Sequence, residues 1–426
     1  MDPDAPMKTG FWRGFGALLL AFAAGQLGPQ LDLALLAHAG QGVSGLYVLV
    51  TRLAILELVI TMALGASLSV LAARGERCGL PGEGLRPSLL LAAGVGLPLG
   101  LLGGLAGYLL LPRLLSGDPG QVVTALAALP WFFVAAPLRL LNGCAAFLLH
   151  ARGEGPLALR CKAVELLARL LLGVALIQGL GMGLGGCFIT GLLLNLGTAL
   201  WLTRHLARAS SGQPWWPRRD WRSRALRGCA WESQRLLAIQ AFGLLAVALF
   251  AAEHCWPPAP GRLDAFSSGL TLALLVFAPL SALLRFLSMR LAASPADAHP
   301  EAIRQVTHRV LPIAITGAAL LALSAPMLGA LYGQAGPWWT TYVLILAASL
   351  PVRVLGNLRR AQRQAAGEFA IVGRLDARLL WLIGLPTLLA GLAMNSPLLA
   401  YVHLLLPELC ILAALQRAHT KQPEFC

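Results

Sequence analysis

Apolar residues dominate this chain in long runs separated by short polar stretches. Twelve runs lie near residues 13–37, 46–73, 88–111, 122–150, 163–180, 184–204, 228–251, 265–290, 308–331, 338–358, 378–394 and 397–417. A predominantly apolar stretch of about 18 or more residues is long enough to cross the hydrocarbon core of a bilayer as a helix. The pattern therefore predicts an all-α polytopic membrane protein of twelve transmembrane helices. Runs five and six, like eleven and twelve, sit close together across short turns such as Gly179 to Gly185. The first run does not read as a cleavable signal, being long, carrying Asp32 and lacking a small-residue cleavage site before the next run.

The longest polar interruption, ASSGQPWWPRRDWRSRALR, falls almost midway and separates six runs from six. Its tryptophans among arginines suit a connector at the headgroup level, rings in the interface and cations toward anionic lipid. The expected organisation is an N-terminal six-helix lobe (1–206), a cytoplasmic connector (207–227) and a C-terminal six-helix lobe (228–426).

Composition agrees: 57% of residues are apolar and 12% charged, with mean hydropathy +0.71, against about 25% charged in soluble domains. The net charge of +14 raises the question of nucleic acid, but its placement answers it. With both termini inside, and a residue at the edge of a run counted with the tail or loop it adjoins, 25 of the 33 basic residues fall on that side, two (Arg113 and Arg262) in the opposite loops, and six deeper within the runs. Excess Lys and Arg mark the cytoplasmic side. The basic charge is an orientation signal, and the chain is expected in a bacterial-type inner membrane with both ends cytoplasmic.

Chemistry is sparse. The eight cysteines and eight histidines show no metal-ligand spacing, and there is no phosphate-binding glycine loop or nucleophile elbow. No catalytic constellation, metal or cofactor is expected. No ATP-binding domain is evident, so any active transport would draw on an ion gradient. The informative residues are charges inside the runs. Asp32 stands in the first, with Gln26 and Gln30 just before it; an ionisable group at bilayer depth is costly and marks a pathway or a buried partner. Arg52 and Glu57 lie five apart, about 140° around a helix, so they face different neighbours. Glu165 with Arg169, and Glu232 with Arg235, have the spacing of local pairs. Arg285 and Arg353 lie near cytoplasmic ends, where such side chains snorkel, and Glu408 has no evident partner. Glycines crowd the third run (Gly94, Gly96, Gly100, Gly103, Gly104, Gly107), which suits close helix packing, and Pro98, Pro279 and Pro386 are expected to bend their helices.

The halves share sequence. Pro137 and Arg139 followed by Gly153-Glu154 match Pro351 and Arg353 followed by Gly367-Glu368 at one offset, 351 minus 137 or 214 residues. Both sets fall in and just after the fourth run of their half. Two six-span repeats are a transporter architecture, with a central cavity near the bilayer midplane.

At this point a resemblance becomes specific. Asp32 to Gly40, DLALLAHAG, resembles the end of the first helix in the multidrug and toxic compound extrusion (MATE) family of the multidrug/oligosaccharidyl-lipid/polysaccharide (MOP) flippase superfamily. MALGASLSVLAARGE (Met62 to Glu76), PRLLSGDPGQV (Pro112 to Val122), PLRLLNGCAAFLLHARGEG (Pro137 to Gly155) and GLGMGLGGCFITGLLLN (Gly179 to Asn195) resemble later family segments in the same order. The resemblance implies an exporter of a small organic solute by H+ or Na+ antiport, with Asp32 as the cation-coupling carboxylate. It also leaves open a flippase for a lipid-linked oligosaccharide precursor, or a membrane scaffold that has lost coupling. Two departures bear on mechanism. The family's helix-five Asn and Asp positions are Arg169 and Gly173 here, and its helix-seven Glu after a Pro is represented only by Glu232, without that Pro.

The candidate cavity residues are accordingly Gln26, Gln30, Arg52, Glu57, Arg139 and Arg169. With Arg285 and Arg353 read as snorkelling and Arg235 as locally paired, Arg52, Arg139 and Arg169 remain, all in the first half; they either favour an anionic or zwitterionic solute or neutralise Glu57, Glu165 and Asp32.

Overall fold

A computed structural model describes residues 10–37, 43–78, 84–115, 118–216 and 218–417. The His38-Ala39-Gly40 end of the first-run motif and both chain termini lie outside the described residues. Among those described, every regular element is helical. The chain divides into two compact units, Met1–Cys229 and Ala230–Cys426.

In the first unit the runs become α1 (Phe11–Ala37), the pair α2 (Val43–Leu53) and α3 (Ile55–Arg77), α4 (Leu85–Leu114), the pair α5 (Pro119–Val134) and α6 (Ala136–Ala151), α7 (Gly155–Gly173, prolonged by a π-helical turn Val174–Gly179), and α8 (Gly183–Ala209). α9 (Arg219–Ala251) begins in this unit and continues into the second. There follow α10 (Arg262–Ala293), the pair α11 (His299–Leu323) and α12 (Ala325–Tyr332), and α13 (Pro337–Ala365). The last two runs are α14 (Phe369–Leu379) joined through a π-helical turn to α15 (Leu385–Ala393), and α16 (Pro397–Tyr401) joined through a 3-10 turn to α17 (Leu406–Arg417).

Ten of these helices are long and apolar enough to cross a membrane, and eleven when the α5/α6 pair, bent by 42°, is taken as one span. The protein is a multi-pass membrane protein. The remaining run, α7, is interrupted in apolarity by Arg160, Lys162, Glu165 and Arg169.

Proline places several of the breaks. Proline has no N–H to give and crowds the carbonyl four residues earlier, so it is best tolerated in a helix's first turn. Pro137 and Pro326 stand in the first turns of α6 and α12, and Pro386 in the first turn of α15, just after the π-helical turn that precedes it. Pro98 and Pro279 instead lie within α4 and α10, which run on through them as continuous helices. The glycines of α4 serve packing: side chains added at Gly96, Gly100 or Gly107 would run into Pro137, the Phe133 carbonyl or Leu129. These positions share one helix face, against which α5 and α6 lie.

The repeated motif folds the same way in each unit. Gly153 and Gly367 both take left-handed backbone (φ 79° and 75°), which glycine adopts without strain. Glu154 N–H then donates to Leu149 O at 2.8 Å, and Glu368 N–H to Arg363 O at 2.9 Å. The polar connector packs on the first unit. Arg86 donates to Gln213 O (2.7 Å) and Ala207 O (3.1 Å) and lies over the Trp215 ring, while Trp216 is exposed.

Candidate functional site

A cavity of about 500 Å³ lies within the first unit, among α1, α2, α3, α6, α7 and α8. Its wall is largely apolar and aromatic, including Phe22, Phe132, Phe147 and Phe188. Six charged side chains border it: Asp32, Glu57, Glu165, Arg139, Lys162 and Arg169. Charged groups brought into such surroundings persist only when paired, and here each acid has a basic neighbour.

Asp32, on α1 and 4% exposed, accepts through Oδ2 from the Tyr47 hydroxyl of α2 (3.0 Å) and from Arg169 Nη1 of α7 (2.7 Å). Arg169 reaches it by lying against Gly28, one turn earlier on α1, where a larger residue would meet the guanidinium stem. Its Nη2 stands 3.8 Å from Glu165 Oε1, beyond hydrogen-bond range. Arg169 Nε is buried without a hydrogen-bond partner among the described residues. Glu165 is held instead by Lys162 Nζ at 3.0 and 2.8 Å.

Arg139 is fixed more completely. Its Nε and Nη2 donate to the two oxygens of Glu57 (2.6 and 2.7 Å), its Nη1 donates to Phe132 O (2.7 Å), and its guanidinium lies over the Phe132 ring at 4.1 Å. A planar fork matched to a carboxylate in this way is a strong, directional pairing. Neutral polar groups complete the lining. Asn142 Nδ2 donates to Asn195 Oδ1 and O, both at 3.0 Å, while Asn142 Oδ1 and His150 Nε2 are buried without a hydrogen-bond partner among the described residues.

Of the residues singled out from sequence, Asp32, Glu57, Arg139 and Arg169 meet at this cavity. Gln26, Gln30 and Arg52 do not: all three are exposed and outside its lining. On α1 the buried stripe carries Gly28, Asp32, Leu35 and Leu36, and the two glutamines stand off it. Lys162, Glu165, Asn142 and His150 were not foreseen as cavity residues. The signal for the first two was present, since Lys162, Glu165 and Arg169 recur at three- and four-residue spacing along one face of α7.

The second unit treats its buried charges differently. Glu232, fully buried on α9, accepts from Arg235 (2.6 and 3.0 Å), from Gln364 Nε2 (3.1 Å) and from Arg285. Arg235 Nη1 reaches Asp376 (3.4 Å), Asp376 accepts from Arg360 (3.0 Å), and Arg360 Nη2 donates to Glu408 (2.8 Å). Arg353 closes the series on Glu408 at 2.9 Å, with its guanidinium 4.1 Å from the Phe277 ring. Arg285 and Arg353 therefore do not snorkel, because carboxylates on neighbouring helices draw them inward. Glu408 has two partners, and Arg360, counted by sequence among the loop cations, is buried on α13.

Solved structures share this fold. A mutant of the Vibrio cholerae MATE transporter VcmN superposes with TM-score 0.80 at 15% identity, covering 98% of this chain and 97% of that one. A MOP superfamily transporter from Pyrococcus furiosus, described as having a binding pocket of reverse polarity, gives TM-score 0.81 at 14% identity over 98% and 99% of the two chains. An outward-facing multidrug resistance MATE transporter gives 0.78 at 15% identity over 98% and 99%. No family model matches the sequence, and no curated protein matches it. The likeness lies in the fold, a helical membrane architecture shared over nearly the full length.

Proposed function

We propose that the protein transports an organic solute across a bacterial-type inner membrane, with both termini cytoplasmic. The first-unit cavity would take an anionic or zwitterionic solute with an apolar body, and a cation gradient, H+ or Na+, would act through Asp32. The MATE fold supports the transporter reading. The observation that carries the solute class is Arg169: a permanently charged guanidinium bordering the cavity, hydrogen-bonded to Asp32 through Nη1, with Nη2 3.8 Å from Glu165 and outside hydrogen-bond range of it. Aromatic walls suit an apolar body, and Asn142 and Asn195 add neutral polar groups to the same lining.

Counterflow of naphthalene-1-sulfonate and of an aromatic ammonium of equal size, in proteoliposomes holding the full chain, tests this reading. The sulfonate is expected to exchange and the ammonium not. Arg169→Gln should weaken sulfonate handling about tenfold or more, the worth of a charged hydrogen bond at ~1.5–3 kcal/mol. Exchange of the ammonium alone, unaffected by that substitution, contradicts it.

A further inference from the structure

We infer that a proton and the anionic solute occupy the cavity together, Asp32 taking the proton as Arg169 passes from Asp32 to the solute. The inference rests on the anionic-solute reading above and adds the sign of the coupling.

The charges facing the cavity balance: three acids, Asp32, Glu57 and Glu165, against three bases, Arg139, Lys162 and Arg169. A solute anion added to this set brings an unpaired negative charge into an apolar-walled space, which is costly. One proton removes the excess, so the question is which pair opens. Arg139 spends its fork on Glu57, another donor on Phe132 O and its face on the Phe132 ring. Lys162 and Glu165 stand three residues apart on α7 and stay together as that helix goes. Arg169 and Asp32 come from different helices, α7 and α1, and are joined through one guanidinium nitrogen. The Nη2 of Arg169 stands 3.8 Å from Glu165, outside hydrogen-bond range of it. This is the pair that can exchange partners.

The surroundings of Asp32 suit either charge state. From α2 it receives the Tyr47 hydroxyl, from α8 it is faced by the Cys187 thiol, and from α7 by Arg169, with Glu165 behind. Across the cavity, Glu57 of α3 and Arg139 of α6 neutralise each other. Once a proton from bulk water joins the Asp32 carboxylate, its ion pair becomes a neutral hydrogen bond and Arg169 offers its charge to the solute. No covalent bond forms or breaks beyond that O–H.

Coupling between two ligands is reciprocal: if the proton raises affinity for the anion, the anion raises affinity for the proton by the same factor. A carrier loaded with both moves them in the same direction. The coupling would therefore be proton–anion symport, opposite in sign to the exchange of proton for solute that the family resemblance implies. Arg169, in place of a neutral residue at that position of the resemblance, is what reverses it.

The test uses the full chain in lipid nanodiscs, weakly buffered with a pH indicator, and naphthalene-1-sulfonate, an anion throughout the working pH range. Sulfonate affinity is expected to rise about tenfold per pH unit lowered, wherever Asp32 is ionised in the free protein. About one proton should be taken up per sulfonate bound. Asp32→Asn should bind at the low-pH affinity at every pH and take up no proton. Proton release on binding, or wild-type binding indifferent to pH, overturns the inference while leaving the anionic-solute reading in place. Absence of sulfonate binding at any pH overturns both.

Discussion

In the first unit six charged side chains pair off around an open space, whereas in the second seven share partners in series. The two arrangements start from the same repeat. Arg139 and Arg353 each follow a proline at one offset, each lies 4.1 Å over a phenylalanine ring, and each pairs with a glutamate. Beyond that the units diverge. Glu57 stops at Arg139 beside the cavity, while Glu408 also accepts from Arg360, which leads through Asp376 and Arg235 to Glu232 and Arg285. A pair bordering a cavity can lose its partner to a solute. A member of a buried series cannot leave without stranding charges on both sides, which is where the desolvation cost is largest. The difference fits the proposed solute handling in the first unit, with structural support from the buried series in the second.

The sharpest way to break that assignment is to neutralise one acid in each unit. Glu232→Gln leaves Arg235 and Arg285 buried against a neutral group, and should destabilise the protein by ~3–5 kcal/mol. Asp32→Asn leaves one arginine beside an open cavity with Glu165 nearby, and should cost under ~2 kcal/mol. Unfolding in graded denaturing detergent, followed by tryptophan fluorescence, measures both. Equal losses would put the two acids in one structural class.

A smaller effect separates the units by packing. A methyl added at Gly391 would strike the backbone of Ala400, and Gly391→Ala should cost ~1–3 kcal/mol through overpacking. Gly191 lines the cavity with nothing within 4 Å of an added Cβ, so Gly191→Ala should leave thermal stability nearly unchanged. Strong destabilisation by the Gly191 change would mean that the cavity is not open where the structure shows it.

The smallest expected effect is one of pH, in the turn after α6 and outside the membrane spans. Burial pushes the Glu154 carboxyl up, but hydrogen bonds from His205 and Arg152 outweigh it and hold the group below the usual glutamate range. A depressed acid stabilises the fold above its unfolded value, and that contribution is lost as pH falls through the folded value. Glu154→Gln should therefore flatten the acid end of the melting-temperature profile and leave neutral pH almost unmoved. An unchanged acid limb would show the turn to be held by its backbone bonds alone.

Much of the helical frame was legible because each span needs a long apolar run, and the runs and helices coincide apart from helix ends that project into polar sequence. α7 was legible as a span from its apolar second half, and α9 and α11 begin earlier than their apolar runs do. Pairing within one helix was legible too: Glu232 and Arg235 were expected as neighbours and are. Pairing between helices was not. Arg285 and Arg353 lie near span ends in one dimension; Glu232 of α9 reaches Arg285 of α10 with Gln364 of α13 bonded to both, and Glu408 of α17 meets Arg353 where α17 packs on α13. Gln26 and Gln30 flank Asp32 in sequence, yet the helical turn sends them to other faces. The Asp32–Arg169 and Glu57–Arg139 pairs stood among the alternatives left open by sequence, and Arg139 and Arg169 both pair with acids and line the cavity, whereas Arg52 lies outside its lining.

In the proposed coupling Asp32 and the solute answer to one arginine, Arg169. Infrared difference spectroscopy on the nanodisc protein, recorded as naphthalene-1-sulfonate is added near neutral pH, reads that directly. A protonated-carboxyl stretch should appear with sulfonate in the wild type and be absent in Asp32→Asn. Sulfonate binding with no new carboxyl band, or with a gain of carboxylate signal, would contradict it.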